Sequence, residues 1–307
     1  MDSNSNHPIF PEFKHLDITD KNRIEELTKQ FPPYSDFNFT SMWSYDTDND
    51  VEFSWLNGNF VMRFRDYITK DPFYSFLGNT KPQETITILL NYSREQKLPE
   101  KLQLIPEVNI EDLFKSESKE FLFLEDKDQN DYIIPLKDTI ALSNINPHKQ
   151  ESYHKFLSDY PNYEVRELEI SDLKAQAEMT ALFNLWVEKK KNKSNNAENE
   201  FLAMKKLFDY SSSFNLTTLG IYLDNKLICY IIDERLQKPY VIGHFLKADL
   251  SYKGIYEVIN KMSAEKHYKE GFEYINIEQD LGIEGLRISK QQRSPSFYLK
   301  KYTITRR

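Results

Sequence analysis

Between Tyr274 and Lys290 the chain reads YINIEQDLGIEGLRISK, which sets carboxylates, amides and cations in close order. If the first part is a strand, side chains repeat every second residue, so Glu278 and Asp280 share a face at its end and Gln279 points the other way. Asn276, just upstream, is a further polar candidate. Gly282 and Gly285 permit a tight passage into a helix, on which Arg287 and Lys290, three apart, lie on one side. Carboxylates beside a basic helical face suit acyl transfer, where a carboxylate takes the proton of an attacking hydroxyl or holds an ammonium group. Arg binds a phosphate by a bidentate fork and Lys binds it as a point charge. The alternative is an Asp–Arg or Glu–Lys pair that only ties down the turn.

A second candidate lies in VIGHFLKAD, where His244 could move a proton or orient a substrate and Lys247 follows three positions later. A histidine packed and hydrogen-bonded in the core is the competing reading. His7, His15, His148, His154 and His267 share no ligand spacing, so no metal site is expected. The lone cysteine, Cys229, sits in the apolar run LICYII and reads as an inert core residue in a chain suited to a reducing cytoplasm. The segment PPYSDFNFTSMWSYD offers Asp36, Asn38 and Ser41 among aromatic rings, an arrangement that could hold an ammonium group. It reads equally as a capped helix whose Phe37, Phe39, Met42 and Trp43 fill a core.

These residues need a scaffold, and 307 residues at 39% hydrophobic supply one of globular type. No apolar run is long enough for a signal peptide or a membrane span. Only eight glycines are present, Gly58 and Gly78 being the two before Gly220, so Walker and dinucleotide loops are absent and no cofactor is expected. From Gly285 to Arg307 stand seven basic residues and no acidic one in a chain of net charge −8. This basic end could bind a phosphate-bearing partner, or it could be a solvated, lysine-guarded strand edge.

The periodicity gives one series of elements twice. VEFSWLNGNFVMRFRD is a hairpin about Asn57-Gly58, and TLGIYLDNKLICYIIDER is another about Asp224-Asn225. Strand FYSFLG, helix PQETITILLNYSREQK, strand KLQLIP, helix NIEDLFKS and the β run FLFLEDKDQNDYIIPL complete the first series. YVIGHFL, GIYEVINKMSAEKHYKEG, YINIEQD, GIEGLRISK and FYLKKYTIT complete the second. Helices DKNRIEELTKQ, SDLKAQAEMTALFNLWVEKK and NEFLAMKKLF precede the hairpins. KKKNKSNNAENE, Lys189 to Glu200, reads as a solvated connection. The aperiodic SNINPHKQ puts the boundary between Leu142 and Tyr153, giving domains 1–145 and 146–307 of α/β (α+β) class.

The order hairpin, strand, helix, strand, helix, strand is that of the GNAT acyltransferase fold. With PPYSDFNFTSMWSYD, HFLKADLSYKGIYEVIN and YINIEQDLGIEGLRISK, the chain resembles the tandem-GNAT family that includes the C-terminal catalytic domain of phosphatidylglycerol lysyltransferases. The resemblance covers nearly the whole chain. It implies two GNAT-like domains, each a mixed, mostly antiparallel sheet flanked by helices, with the site in the second or between the two. It also implies aminoacyl transfer from the 3′ end of an aminoacyl-tRNA to a hydroxyl or amine acceptor, such as a small molecule or lipid head group. On this reading Glu278, Asp280 and His244 are catalytic, and Arg287, Lys290, Lys247, Gln279 and Asn276 bind substrate. An acyl-CoA-dependent N-acetyltransferase and a non-catalytic ligand- or partner-binding protein are the alternatives. The sequence departs from the family pattern at Ile277, where an Arg is usual, and in NINPHKQESYHKF, where a dense basic cluster is reduced to Lys149 and Lys155. The turn DLSYKGIY holds only Gly254 where an acetyl-CoA enzyme needs a glycine-rich pyrophosphate loop.

Overall fold

A computed structural model describes residues 8–66, 69–115, 120–143, 145–189 and 196–307. The chain opens with β1 (Lys14–His15), α1 (Lys21–Thr28) and α2 (Phe39–Tyr45), then the strands β2 (Glu52–Leu56), β3 (Asn59–Arg65) and β4 (Pro72–Leu77). Next come α3 (Pro82–Glu95), β5 (Lys101–Pro106), α4 (Glu111–Lys115), β6 (Phe121–Glu125), β7 (Asp131–Pro135), α5 (Leu136–Ala141), α6 (Pro147–Asp159) and β8 (Glu164–Glu167). The second half continues with α7 (Leu173–Lys189), α8 (Asn196–Asp209), β9 (Leu216–Leu223), β10 (Lys226–Arg235), β11 (Tyr240–Ala248) and α9 (Ile255–Lys269). It closes with β12 (Tyr274–Asn276), α10 (Glu284–Gln291), β13 (Phe297–Leu299) and β14 (Lys301–Arg306).

Among the described residues two seven-stranded sheets form, in the orders β1-β2-β3-β4-β5-β14-β6 and β13-β7-β12-β11-β10-β9-β8. Each is mostly antiparallel, and β4 with β5 in the first and β11 with β12 in the second run parallel. Both expected hairpins are present, and their turn residues explain them. Asn57 and Gly58 in one, Asp224 and Asn225 in the other, all have positive φ, the requirement of a two-residue turn matched to the strand twist.

The chain divides into one compact unit of Met1–Asp131 with Leu299–Arg307 and another of Tyr132–Tyr298. This differs from the expected halves, because two segments read as single β runs are each split between sheets. FLFLEDKDQNDYIIPL becomes β6 in the first sheet and β7 in the second; FYLKKYTIT becomes β13 in the second and β14 in the first. The expected boundary is occupied by α5 and α6, both in the second unit, while Asn144 lies outside the described residues. The connection at Lys189 to Glu200 is shorter than expected, since α8 begins at Asn196; residues 190–195 lie outside the described set, as does His7.

The first core packs α3 on its sheet through Ile86, Leu89, Leu90, Val61, Phe76 and Leu102. In the second unit, Ile255, Val258 and Ile259 of α9 meet Ile221, Cys229 and Ile231. Cys229 is fully buried and its thiol is pushed up by that burial, consistent with an inert core residue. Phe37, Phe39, Met42 and Trp43 are buried, with Asn38 capping α2 by accepting from the Ser41 amide at 2.8 Å. Asp36, by contrast, pairs with the buried Lys301 amine.

Candidate active site

The second unit places its polar side chains where two parallel strands part. The β11–β12 ladder runs from Tyr240↔Tyr274 to Ile242↔Asn276 and stops, so Gly243 onward and Ile277 onward diverge. At that point β11 carries an extra residue. Ile232 pairs with Phe245 and Asp233 with Gly243, leaving His244 as the bulge. A bulge re-aims a side chain, and here the imidazole meets the carboxylate of Glu234 on the neighbouring strand, Nε2 to Oε2 3.2 Å. Both side chains are almost fully buried, at 1% and 3% exposure.

Glu278 approaches from the other strand, its Oε1 3.9 Å from His244 Nδ1 and its side chain 24% exposed. Asn276 shapes this approach: its Oδ1 accepts the Glu278 amide at 2.7 Å, and Glu278 adopts a left-handed φ of 60°. The strand therefore ends four residues short of Asp280, which the alternation argument requires it to reach, and Glu278 and Asp280 do not form a pair on one strand face. Burial favours a neutral imidazole, but the Glu234 hydrogen bond and charge, with Glu278 and Asp233, outweigh it and hold His244 above its ordinary pKa.

Asp280 has a different environment. It is 1% exposed and accepts from Tyr132 Oη at 2.6 Å, Gly282 N at 2.8 Å, and Arg287 Nη2 and Nε at 3.1 and 3.2 Å. Burial raises its pKa, but Arg287, Tyr132 and Gly282 together hold the carboxyl below the usual range. Four donors saturate it as an acceptor, so this carboxylate ties the turn to α10 and β7. Lys290 does similar work by donating to the carbonyls of Ile277 and Gln279 at 2.5 and 2.7 Å. Arg287 and Lys290 thus do share a helical face, which is turned onto the 277–280 loop. Gln279 is half-buried and supplies one of those carbonyls.

Lys247 is buried, pairs with Glu200 Oε1 at 2.5 Å and lies 4.2 Å from the Trp186 ring centroid. Part of the basic C-terminal segment is likewise paired within the fold. Lys300 meets Glu107 at 3.3 Å, Lys301 meets Asp131 at 2.8 Å and Arg306 meets Glu100 at 3.3 Å. Linear charge therefore overstates what the surface offers to a phosphate. Lys149 meets Glu257 at 3.6 Å and Lys155 meets Asp159 at 3.0 Å. Ile277 packs against Ile134, Val241 and Ile275, an apolar site.

The residue the sequence reading missed is Glu234. Its signal was a carboxylate at the end of the apolar run LICYIIDER, opposite VIGHF, but the pairing depends on a bulge that sequence spacing does not reveal.

The first unit shows the contrast. Its parallel pair β4–β5 is bridged by the buried carboxamide of Asn109, whose Nδ2 donates to Phe76 O at 2.6 Å and whose Oδ1 accepts from Gly78 N at 3.2 Å. A cavity of about 780 Å³ in this unit is lined by Lys81, Gln83, Glu84, Glu111 and Asp112 among others, and holds none of the expected site residues. Its three carboxylates against one lysine disfavour a phosphate.

Residues 30–305 match the family described as Phosphatidylglycerol lysyltransferase, C-terminal. Three solved structures are similar in fold. A conserved protein of unknown function from Bacteroides thetaiotaomicron is 23% identical with a TM-score of 0.81, covering 96% of this chain and 99% of its own. The C-terminal domain of a putative lysylphosphatidylglycerol synthetase from Agrobacterium fabrum is 9% identical with a TM-score of 0.60, covering 93% and 91%. L-PGS from Bacillus licheniformis is 12% identical with a TM-score of 0.55, covering 84% of each chain. At these identities the likeness concerns the fold, which is the tandem GNAT-like one. No curated protein matches the sequence. No helix among the described residues is long and apolar enough to cross a membrane.

Proposed function

The chain belongs to the phosphatidylglycerol lysyltransferase C-terminal family, and from that premise we propose that it is an acyltransferase acting on an aminoacyl-tRNA. In this reaction an acceptor hydroxyl or amine attacks the ester carbonyl of the aminoacyl-tRNA. The new C–O or C–N bond forms as the ester C–O bond breaks, the acceptor loses its proton, and the leaving ribose oxygen gains one. Glu278 and His244 are the groups proposed to take and return that proton. The observation that carries this reading is the Glu234–His244–Glu278 cluster where β11 and β12 part. A partly exposed carboxylate beside a buried, carboxylate-bound imidazole is a proton-handling arrangement. Asp280, Arg287, Lys290 and Asn276 are proposed to shape the loop bearing Glu278, with Gln279 on that loop and Lys247 beside α8 as candidates for substrate contact.

The start of α9 favours an aminoacyl donor over acyl-CoA. Gly254 has a φ of 85°, and a Cβ there would stand 2.0 Å from the Ser152 carbonyl oxygen. Backbone of α6 therefore packs against the helix start, where a pyrophosphate would have to bind amide groups. Incubation with tRNA carrying a radiolabelled amino acid, with extracted lipids and small hydroxyl and amine compounds as acceptors, is expected to give a labelled acylated product. Glu278→Gln and His244→Gln should each lower turnover at least about 100-fold. Wild-type turnover in either variant would remove that residue from the site. Calorimetry with acetyl-CoA is expected to show no binding, and tight stoichiometric binding would replace the aminoacyl donor with a thioester.

A further inference from the structure

Building on the acyl-transfer reading, we propose that Glu234 is the positioning residue of this site: its buried carboxylate holds the His244 imidazole through Nε2 and so turns Nδ1 toward Glu278. Glu234 lies near the end of β10 at 2% exposure, and a carboxylate there is costly unless it is paired. The bulge that leaves His244 outside the β10–β11 register brings the ring to it. The adjacent Asp233 takes a separate set of partners, its Oδ2 accepting from Ser263 Oγ and lying 3.3 Å from His267 Nε2.

A carboxylate only accepts, so the 3.2 Å contact assigns a hydrogen to Nε2 of His244. In the neutral ring the Nδ1 lone pair then faces Glu278; in the protonated ring Nδ1–H points toward it. In either state Glu234 sets the direction in which the proton travels. Ionisable groups that act on His244 include Glu234 and Asp233 of β10 and Glu278 of the loop after β12. Lys247, on the same strand, has its ammonium on Glu200.

The test uses the full chain with ¹⁵N-labelled histidine, following the His244 ring nitrogens through a pH titration and assigning them by their loss in His244→Gln. The wild type is expected to show the Nε2–H tautomer and a midpoint above the ordinary value of about 6.5. Glu234→Gln should lower the midpoint by about one pH unit and weaken the tautomer preference. Glu234→Asp keeps the charge but withdraws it by about one C–C bond, ~1.5 Å, so the midpoint should stay high while the tautomer preference loosens. An unchanged midpoint and tautomer in Glu234→Gln overturn the proposal. If that variant does not fold, an unchanged tautomer ratio in Glu234→Asp overturns it. In the transfer assay Glu234→Gln should lower kcat at least about tenfold with little change in KM, and Glu234→Asp should restore part of it. Absence of transfer by the wild type counts against the reaction, whereas the ring titration needs no substrate and decides the role of Glu234.

Discussion

Asp280 shows how far a residue's environment can separate it from its apparent chemistry. Its carboxylate is the meeting point of Tyr132, Gly282 and Arg287. Asp280→Asn is expected to cost about 2–3 kcal/mol of stability, because hydrogen bonds to a charged group are lost in a buried place. Urea unfolding measures this. The pH dependence follows from the lowered pKa. Its contribution is fully present above the unfolded value of about 3.9 and is lost as pH falls through the lower native value. The stability of the wild type should therefore drop more steeply than that of Asp280→Asn below about pH 4, and an acid titration followed by circular dichroism compares the two. The sequence motif did locate this cluster. The Asp280–Arg287 pair is the turn-tying alternative that the spacing also offers, whereas the approach of Glu278 to a histidine 34 positions earlier has no mark in the motif.

At the level of the elements, a buried lysine, Lys301, stands at the start of β14. Its amine lies 2.8 Å from Asp131 Oδ1 and 3.3 Å from Ser35 Oγ, and pairs with Asp36; its backbone amide donates to Asn130 at 2.9 Å. Burial works against the charged amine, but Asp131 and Asp36 more than offset it and hold Lys301 above the ordinary lysine range. Replacing it by Met leaves two carboxylates buried together. Lys301→Met is expected to cost about 3–5 kcal/mol in chemical denaturation, as for breaking a buried ion pair. Adding Asp36→Asn should recover part of the loss, and an additive double mutant would show that the two residues do not interact. The helices give the opposite case, where local signals sufficed. Asn146 caps α6 by accepting the Lys149 amide at 2.9 Å, and Pro147 opens its first turn. That signal lies within the stretch read as an aperiodic boundary, where α6 begins.

At the scale of the whole molecule the chain leaves the first unit after Asp131 and returns to it at Leu299. β14 is an inner strand of the first sheet, between β5 and β6, although it closes the sequence. Removal of residues 299–307 should therefore strip amide protection from β5 and β6 while β9, β10 and β11 keep theirs, which hydrogen exchange reads directly. Division at residue 145 should give fragments that do not fold separately, because the first lacks β14 and the second lacks β7; soluble, cooperatively folding halves would contradict this. The sequence by itself determined the fold class, the two hairpins with their positive-φ turns, most of the longer strands and helices in their order, and the segment that bears Glu278. These follow from local periodicity and turn chemistry, which act over a few residues. Only the tertiary structure decided which sheet each closing strand joins, which charges neutralise one another, and that Glu234 stands behind His244. Those outcomes depend on a one-residue bulge and on pairings between residues far apart in the chain, such as Lys301 with Asp36, 265 positions away, and linear spacing carries no record of them.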